Sequence, residues 1–231
     1  MSFTKRSFKG NLITSEAAFK KKMAGIKAFI FDWDGVFNNG QKSVASGSLF
    51  SEVDSMGTNL LRYSHWLKNR KTPVTAVISG EKNDTAFYFC KRENFNYSFF
   101  KVANKIHALN FICEKENLKP QEVAYFFDDV LDLSIAEKCG VRILVDQKAN
   151  PLFVNYCVKN KLVDYLTSVP GGSHAVREGS ELLMGMNGNF DKVISSRKDY
   201  SSEYTQYIEL RKKTETRFYT VQNDQVQEVN P

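Results

Sequence analysis

Apolar and polar positions along this chain follow two alternating rhythms. Short apolar runs at Lys27 to Trp33, Val74 to Ser79, Val123 to Phe127 and Val141 to Val145 read as buried parallel strands. Tyr97 to Lys101 reads as a shorter strand, and Val163 to Leu166 as a candidate edge. Between these runs the pattern turns helical. Ser15 is placed to cap a short helix over Glu16 to Ala24, within about residues 15–24. Leu60, Ser64 and Leu67 share one face of a helix that ends near Pro73. Further helices are expected over Asn83 to Glu93, Asn104 to Glu116 and Leu131 to Lys138, the last stopped by Gly140. Residues 38 to 55 are rich in Gly, Ser and Asn, with brief alternation around Val44 and Leu49-Phe50, and read as a β-hairpin flap. The β-α alternation predicts an α/β fold, a Rossmann-like three-layer parallel sheet with right-handed crossovers. One domain is expected over residues 1–190. Residues 191–231 read as a polar C-terminal extension, with one helix near Glu203 to Lys212 and a tail that adds little to the core.

Composition narrows the class. At 231 residues and 42% hydrophobic content the chain can bury a real core. No apolar run approaches the roughly 18 residues of a membrane span, and the amino terminus lacks a signal-peptide pattern. Cys90, Cys113, Cys139 and Cys157 show no C-x-x-C spacing and read as reduced thiols. A cytoplasmic protein with no membrane partner is therefore expected. The net charge of +6 is mild, and Lys20-Lys21-Lys22, its one dense basic run, reads as the wet face of a helix, so no nucleic-acid partner is expected. A surplus of Lys suits an anionic substrate.

Four polar clusters follow four of the strands. In Phe31-Asp-Trp-Asp-Gly35, Asp32 and Asp34 are two residues apart and share a face if the chain stays extended. Neighbouring buried carboxylates repel unless a cation or a shared proton separates them, and Mg²⁺ suits such a site. The tripeptide alone equally fits a solvated turn or an incomplete calcium loop. Ser79-Gly80 offers a hydroxyl and an unhindered backbone N–H, the makings of a phosphate cradle or an everyday turn. Lys105 starts the next helix and can reach a phosphoryl oxygen; Lys101 competes for that role, and His107 is expected on the helix surface. Phe127-Asp128-Asp129-Val-Leu-Asp132 is a second strand ending in carboxylates. Helix capping explains Asp129 and Asp132 but not the adjacent pair at a buried strand end.

Taken in order, Asp-x-Asp-Gly-Val, Ser-Gly, Lys and Asp-Asp-x-x-Asp resemble the four motifs of the haloacid dehalogenase superfamily of phosphotransferases. Receiver domains carry similar residues, but there the acidic pair comes first and Lys last. The spacings leave no room for a large cap. Asp54-Ser-Met-Gly57 and Gly171-Gly-Ser-His-Ala-Val-Arg-Glu178 are similar to segments of the phosphatases of phosphorylated 2-keto-3-deoxy sugar acids, which act on octulosonate 8-phosphate or nonulosonate 9-phosphate. Three positions depart from that pattern: His174 and Phe127 stand where Gly is usual, and Glu81 stands where octulosonate enzymes carry Arg.

The resemblance implies a Mg²⁺-dependent phosphomonoester hydrolase working through an aspartyl-phosphate. It casts Asp32 as nucleophile and Asp34 as general acid and then base. Asp32, the Asp34 carbonyl and Asp128 would hold the metal, and Ser79, Gly80 and Lys105 the phosphate. Asp129 and Asp132 would orient Lys105 or metal-bound water, and Glu81 and Arg177 would contact the substrate. It also implies a homotetramer in which Gly171 to Glu178 approaches a neighbour's site. The rival expectation is a non-catalytic assembly module, related to the domain attached to acylneuraminate cytidylyltransferases.

Overall fold

Strands β2 (Ala28–Phe31), β3 (Val74–Ile78), β5 (Val123–Phe127) and β6 (Val141–Leu144) are the apolar runs of the sequence, and each lies in the middle of one parallel sheet. The computed structural model describes residues 8–42 and 47–231. Strands β1 (Asn11–Leu12), β4 (Tyr97–Phe99), β7 (Tyr165–Leu166), β8 (Arg217–Gln222) and β9 (Gln225–Val229) complete the order β1-β7-β6-β5-β2-β3-β4-β8-β9. All pairings are parallel except β1 with β7 and β8 with β9, the two outermost. From β2 the chain winds outward through β3 and β4, then returns to place β5 on the other side of β2. That reversal leaves a crevice at the carboxyl ends of β2 and β5, where open α/β sheets bind their ligands.

Alternate side chains feed two cores. Phe29, Phe31, Phe126 and Ile143 face α1 (Glu16–Met23), α2 (Glu52–Asn69) and α3 (Asp84–Glu93) on one side. The later helices α7 (Ala175–Asn187), α8 (Phe190–Lys198) and α9 (Ser202–Lys212) share that layer. Ala28, Ile30, Tyr125 and Phe127 face α4 (Ile106–Lys115), α5 (Leu133–Ala136) and α6 (Pro151–Lys159) on the other. Only α3 and β4 lie between Gly80 and Lys105, so no cap domain is inserted there. No helix among the described residues is long and apolar enough to cross a membrane.

Four expectations need correction. No strand forms among the described residues of the expected flap, 38–42 and 47–55; α2 starts at Glu52 with Ser51 as its cap, and Val44 lies outside the described residues. The helix expected over Leu131 to Lys138 is a 3₁₀ turn, Val130–Asp132, followed by the short α5. Strand β7 is not an edge, because β1 pairs outside it. Nor is the polar tail peripheral. Strand β8 continues the sheet beside β4, burying Phe218 and Tyr219, and β9 closes that edge. Arg211 of α9 hydrogen-bonds Asn59 of α2, tying the preceding helix to the same body.

Candidate functional site

Hydrogen bonding carries the sheet one residue past β2, since the Asp32 N–H donates to the Phe126 carbonyl at 2.9 Å. The chain then turns: the N–H groups of Val36 and Phe37 both donate to the Trp33 carbonyl, at 3.3 and 3.0 Å. The chain is therefore not extended through Asp34, and the two aspartates have different partners. Asp32 points into the crevice and is buried. Asp34 takes different partners, accepting from the Ser48 hydroxyl and pairing with Lys42 at 3.0 Å.

The carboxylates of Asp32, Asp128 and Asp132 each offer an oxygen within 4.8 Å of the others. Asp128 follows β5 directly, and its approach to the turn after β2 requires a glycine. Gly35 has φ +83°, and a Cβ there would lie 1.9 Å from Asp128 Oδ2. Lys105, buried at the start of α4, reaches Asp32 Oδ1 at 2.5 Å and Asp132 Oδ1 at 2.6 Å. Lys101 is exposed, and His107 faces Asp224 at 3.1 Å, so Lys105 is the cation of the crevice. Asp132 also accepts from the Tyr125 hydroxyl at 2.5 Å and, more distantly, from the N–H groups of Asp128 and Asp129. It thus fixes both Lys105 and the acidic loop. Asp129 is exposed and caps the Val130 N–H at 2.7 Å, so its side chain serves the 3₁₀ turn rather than Lys105.

Ser79 is buried at the end of β3, where its Oγ accepts from the Glu81 N–H at 3.2 Å. Gly80 has open space where a side chain would project, and Glu81 is exposed beside it. Phe127 is stacked on Tyr125 in the α4–α6 core.

Charge in the crevice is unbalanced. Burial, and then the Asp132 charge, raise the Asp32 carboxyl to about 7 against the opposing pull of Lys105. Burial, followed by the charges of Asp32 and Asp132, raises Asp128 to about 9. Burial works against the Lys105 ammonium, but Asp32 and Asp132 outweigh it and hold the group above its ordinary range. Three carboxylates thus share one ammonium in a dry site. A hard divalent cation would supply the missing positive charge, and the all-oxygen donor set fits Mg²⁺.

The segment from Gly171 folds onto its own chain. A Cβ on Gly171 would meet the Gly35 carbonyl oxygen at 2.0 Å, so the segment starts hard against the first acidic loop. It continues as α7, in which the Arg177 N–H donates to Asp54 Oδ1 at 2.9 Å and its Nε to Glu181 at 2.7 Å. Glu178 anchors the Ser168 N–H at 2.9 Å and the Tyr165 hydroxyl at 2.5 Å. His174 precedes the helix in a left-handed conformation, φ +73°, which glycine adopts at less cost.

Sequence reasoning missed four partners: Gln147, Tyr125, Ser48 and Lys42. Gln147 donates to the Gly35 carbonyl at 2.5 Å and to Asp128 Oδ2 at 3.0 Å. Its signal was available, for it lies just past β6, at the same end of the sheet as the other clusters.

No family model matches the chain. In sequence it is 28% identical over 174 residues to the 3-deoxy-D-manno-octulosonate 8-phosphate phosphatase of Escherichia coli K12, covering 74% of this chain and 86% of that protein. In structure it is similar to a probable YrbI-family phosphatase from Pseudomonas syringae, with TM-score 0.66 and 25% identity over 78% of this chain and 97% of the other. It is also similar to the 3-deoxy-D-manno-octulosonate 8-phosphate phosphatase of Moraxella catarrhalis, a structure in complex with magnesium, phosphate and KDO. There the TM-score is 0.65 and the identity 25%, over 77% of this chain and 97% of that one. The expected fold class and resemblance are both borne out.

Proposed function

We propose that this chain, similar in sequence and fold to haloacid dehalogenase superfamily phosphatases, hydrolyses the phosphomonoester of a sugar acid through an aspartyl-phosphate on Asp32. The observation that carries this reading is the buried Asp32 at the sheet's reversal point, held by Lys105 and flanked by Asp128 and Asp132. The octulosonate 8-phosphate substrate class follows the named activity of the relatives, and a nonulosonate 9-phosphate is the alternative of the same chemical class.

Asp32, Asp128 and the Asp34 backbone carbonyl would hold Mg²⁺, which supplies positive charge to the phosphoryl oxygens. The chain's own groups do the rest. An Asp32 carboxylate oxygen bonds to phosphorus as the bond to the substrate alkoxide breaks, and Asp34 gives that alkoxide its proton. Asp34 then takes a proton from the water that cleaves the acyl phosphate, freeing inorganic phosphate and restoring Asp32. Lys105, the Ser79 hydroxyl and the Gly80 N–H stabilise charge on the equatorial oxygens. Asp132, tied to Tyr125, keeps Lys105 aimed at the phosphoryl group. Glu81, beside the phosphate cradle, would accept from sugar hydroxyls. A homotetramer bringing Arg177 to an adjacent subunit's site belongs to the same reading, and the solution mass tests it.

The decisive experiment is phosphate release from sugar-acid phosphates. Activity should require Mg²⁺, vanish in EDTA and in Asp32→Asn, and leave circular dichroism unchanged in the variant. Full turnover in EDTA or in Asp32→Asn would refute the mechanism.

A further inference from the structure

Strand β8 touches both of the helices that begin with the candidate phosphate-holding groups. It pairs parallel to β4, so its carboxyl end and the turn at Asn223-Asp224 lie on the crevice side of the sheet. Its successive side chains go to opposite faces. Tyr219 enters the core under α4, the helix that Lys105 starts, and stacks on Phe99 at 5.1 Å. Phe218 joins Phe87 and Phe100 in a separate small cluster, its ring 5.3 Å from that of Phe87. Phe87 belongs to α3, the helix that follows Ser79-Gly80.

Contact with α4 runs along the helix. His107, Phe111 and Lys115 stand four residues apart and therefore share one face. That stripe meets the hairpin in order. His107 Nε2 lies 3.1 Å from Asp224 Oδ1, and the Phe111 ring is 4.8 Å from that of Tyr219. The Lys115 ammonium donates to the Tyr219 hydroxyl at 3.0 Å. Backbone groups take part as well. The Phe100 N–H donates to the Tyr219 carbonyl at 3.0 Å, and the Val102 N–H donates to the Ser79 carbonyl at 3.2 Å. The loop leading to Lys105 is thus tied both to β8 and to the Ser79 turn. Lys105 itself is buried and held at 2.5 and 2.6 Å by Asp32 and Asp132, so its side chain has little freedom to compensate for a displaced helix start.

We propose that the β8–β9 hairpin braces the phosphate-binding groups, with Tyr219 and Asp224 as positioning residues that fix the start of α4, and so Lys105, relative to the Ser79-Gly80 cradle. Phe218 does the same for α3. The inference rests on the hydrolase reading for the identity of the anion. It gives the extension a part that the resemblance does not assign, because every matched motif ends by Glu178.

Calorimetric titration of the full-length protein with inorganic phosphate, at saturating Mg²⁺, tests the brace without requiring turnover. Tyr219→Leu should weaken phosphate binding by about tenfold, the scale of one charged hydrogen bond. Asp224→Ala, at an exposed turn, should weaken it by about threefold, within the range of an exposed ion pair, and Asp224→Glu should recover most of that loss. Glu203→Ala is the control. It breaks the ion pairs of α9 with Arg70 and Lys192, in the opposite helix layer, and should leave the Kd within about twofold. Circular dichroism fixes the folded fraction. A variant about nine-tenths folded loses only about 1.1-fold in apparent affinity through unfolding, so a larger loss reports position. An unchanged Kd in either folded variant, or an equal loss in Glu203→Ala, overturns the proposal. If Tyr219→Leu does not fold, Asp224→Ala alone decides. A wild type that hydrolyses no phosphomonoester refutes the hydrolase reading separately, whereas a wild type that binds no phosphate overturns the brace.

Discussion

Replacing Asp54 with Asn should change how the stability of this protein depends on pH. Asp54 sits in the first turn of α2 and is fully buried. His174 offers α7 no side-chain cap, so Asp54 supplies the acceptor for the Arg177 N–H instead. A carboxylate at a helix N-terminus gains about 0.3–1 kcal/mol from the dipole. Burial costs more. The second oxygen accepts no hydrogen bond among the described residues, and its nearest cation is His174 Nδ1 at 3.7 Å. Burial accordingly raises the carboxyl from 3.8 to about 6, despite the Arg177 N–H and His174. A group that binds its proton more tightly when folded stabilises the fold at low pH, and that contribution is lost as pH rises from about 4 through 6. The shift corresponds to ~3 kcal/mol. Asparagine keeps an oxygen for the Arg177 N–H but cannot ionise. Whatever its fixed offset, Asp54→Asn should gain ~2 kcal/mol on the wild type between pH 4 and about 7.5, a difference that cancels the titration of groups out of contact with Asp54. Urea unfolding at a series of pH values reads it directly, from midpoint and slope. A difference curve flat to within ~0.5 kcal/mol, or one that falls with pH, would show that Asp54 titrates as a hydrated carboxylate and that the burial argument is wrong.

Gln147→Ala should weaken Mg²⁺ binding by about 10–100-fold, because it frees Asp128 from the one side chain that ties it to Gly35. Calorimetric titration with Mg²⁺ alone measures this, and an unchanged Kd would contradict it. A chain ending at Thr214 should be severely destabilised, since it loses the burial of Phe218 and Tyr219 and uncovers Phe99 and Phe100. At ~1.5–3 kcal/mol for each fully buried large side chain, the two aromatics alone contribute ~3–6 kcal/mol, much of a typical domain's stability. Denaturant unfolding showing a loss under ~1 kcal/mol would return β8 and β9 to the status of an appendage.

What could be read in the sequence was whatever depends on local pattern. β2 and β5 are apolar throughout, and β3 and β6 are each broken by one polar residue, Thr75 and Arg142; because both faces are covered, each appears as a run rather than an alternation. The carboxyl ends of β2, β3, β4 and β5 are followed by the polar clusters, and that placement brings Asp32, Lys105, Asp128 and Asp132 together. The partners of Asp34 were hidden, because they depend on a turn set by long-range packing. Gly35 must pass beneath Asp128 while Gly171 presses on the Gly35 carbonyl, and neither neighbour is close in sequence. β8 was hidden for a related reason. Phe218 and Tyr219 are only two aromatics in a polar stretch, and what makes them core is the parallel pairing with β4, over one hundred residues earlier in the chain. A fixed acidic crevice is expected of any chain with these four clusters, whereas Gln147 and Asp54 act at positions where separate segments meet. Metal affinity and stability should therefore respond to changes at those meetings even when every clustered aspartate is left in place.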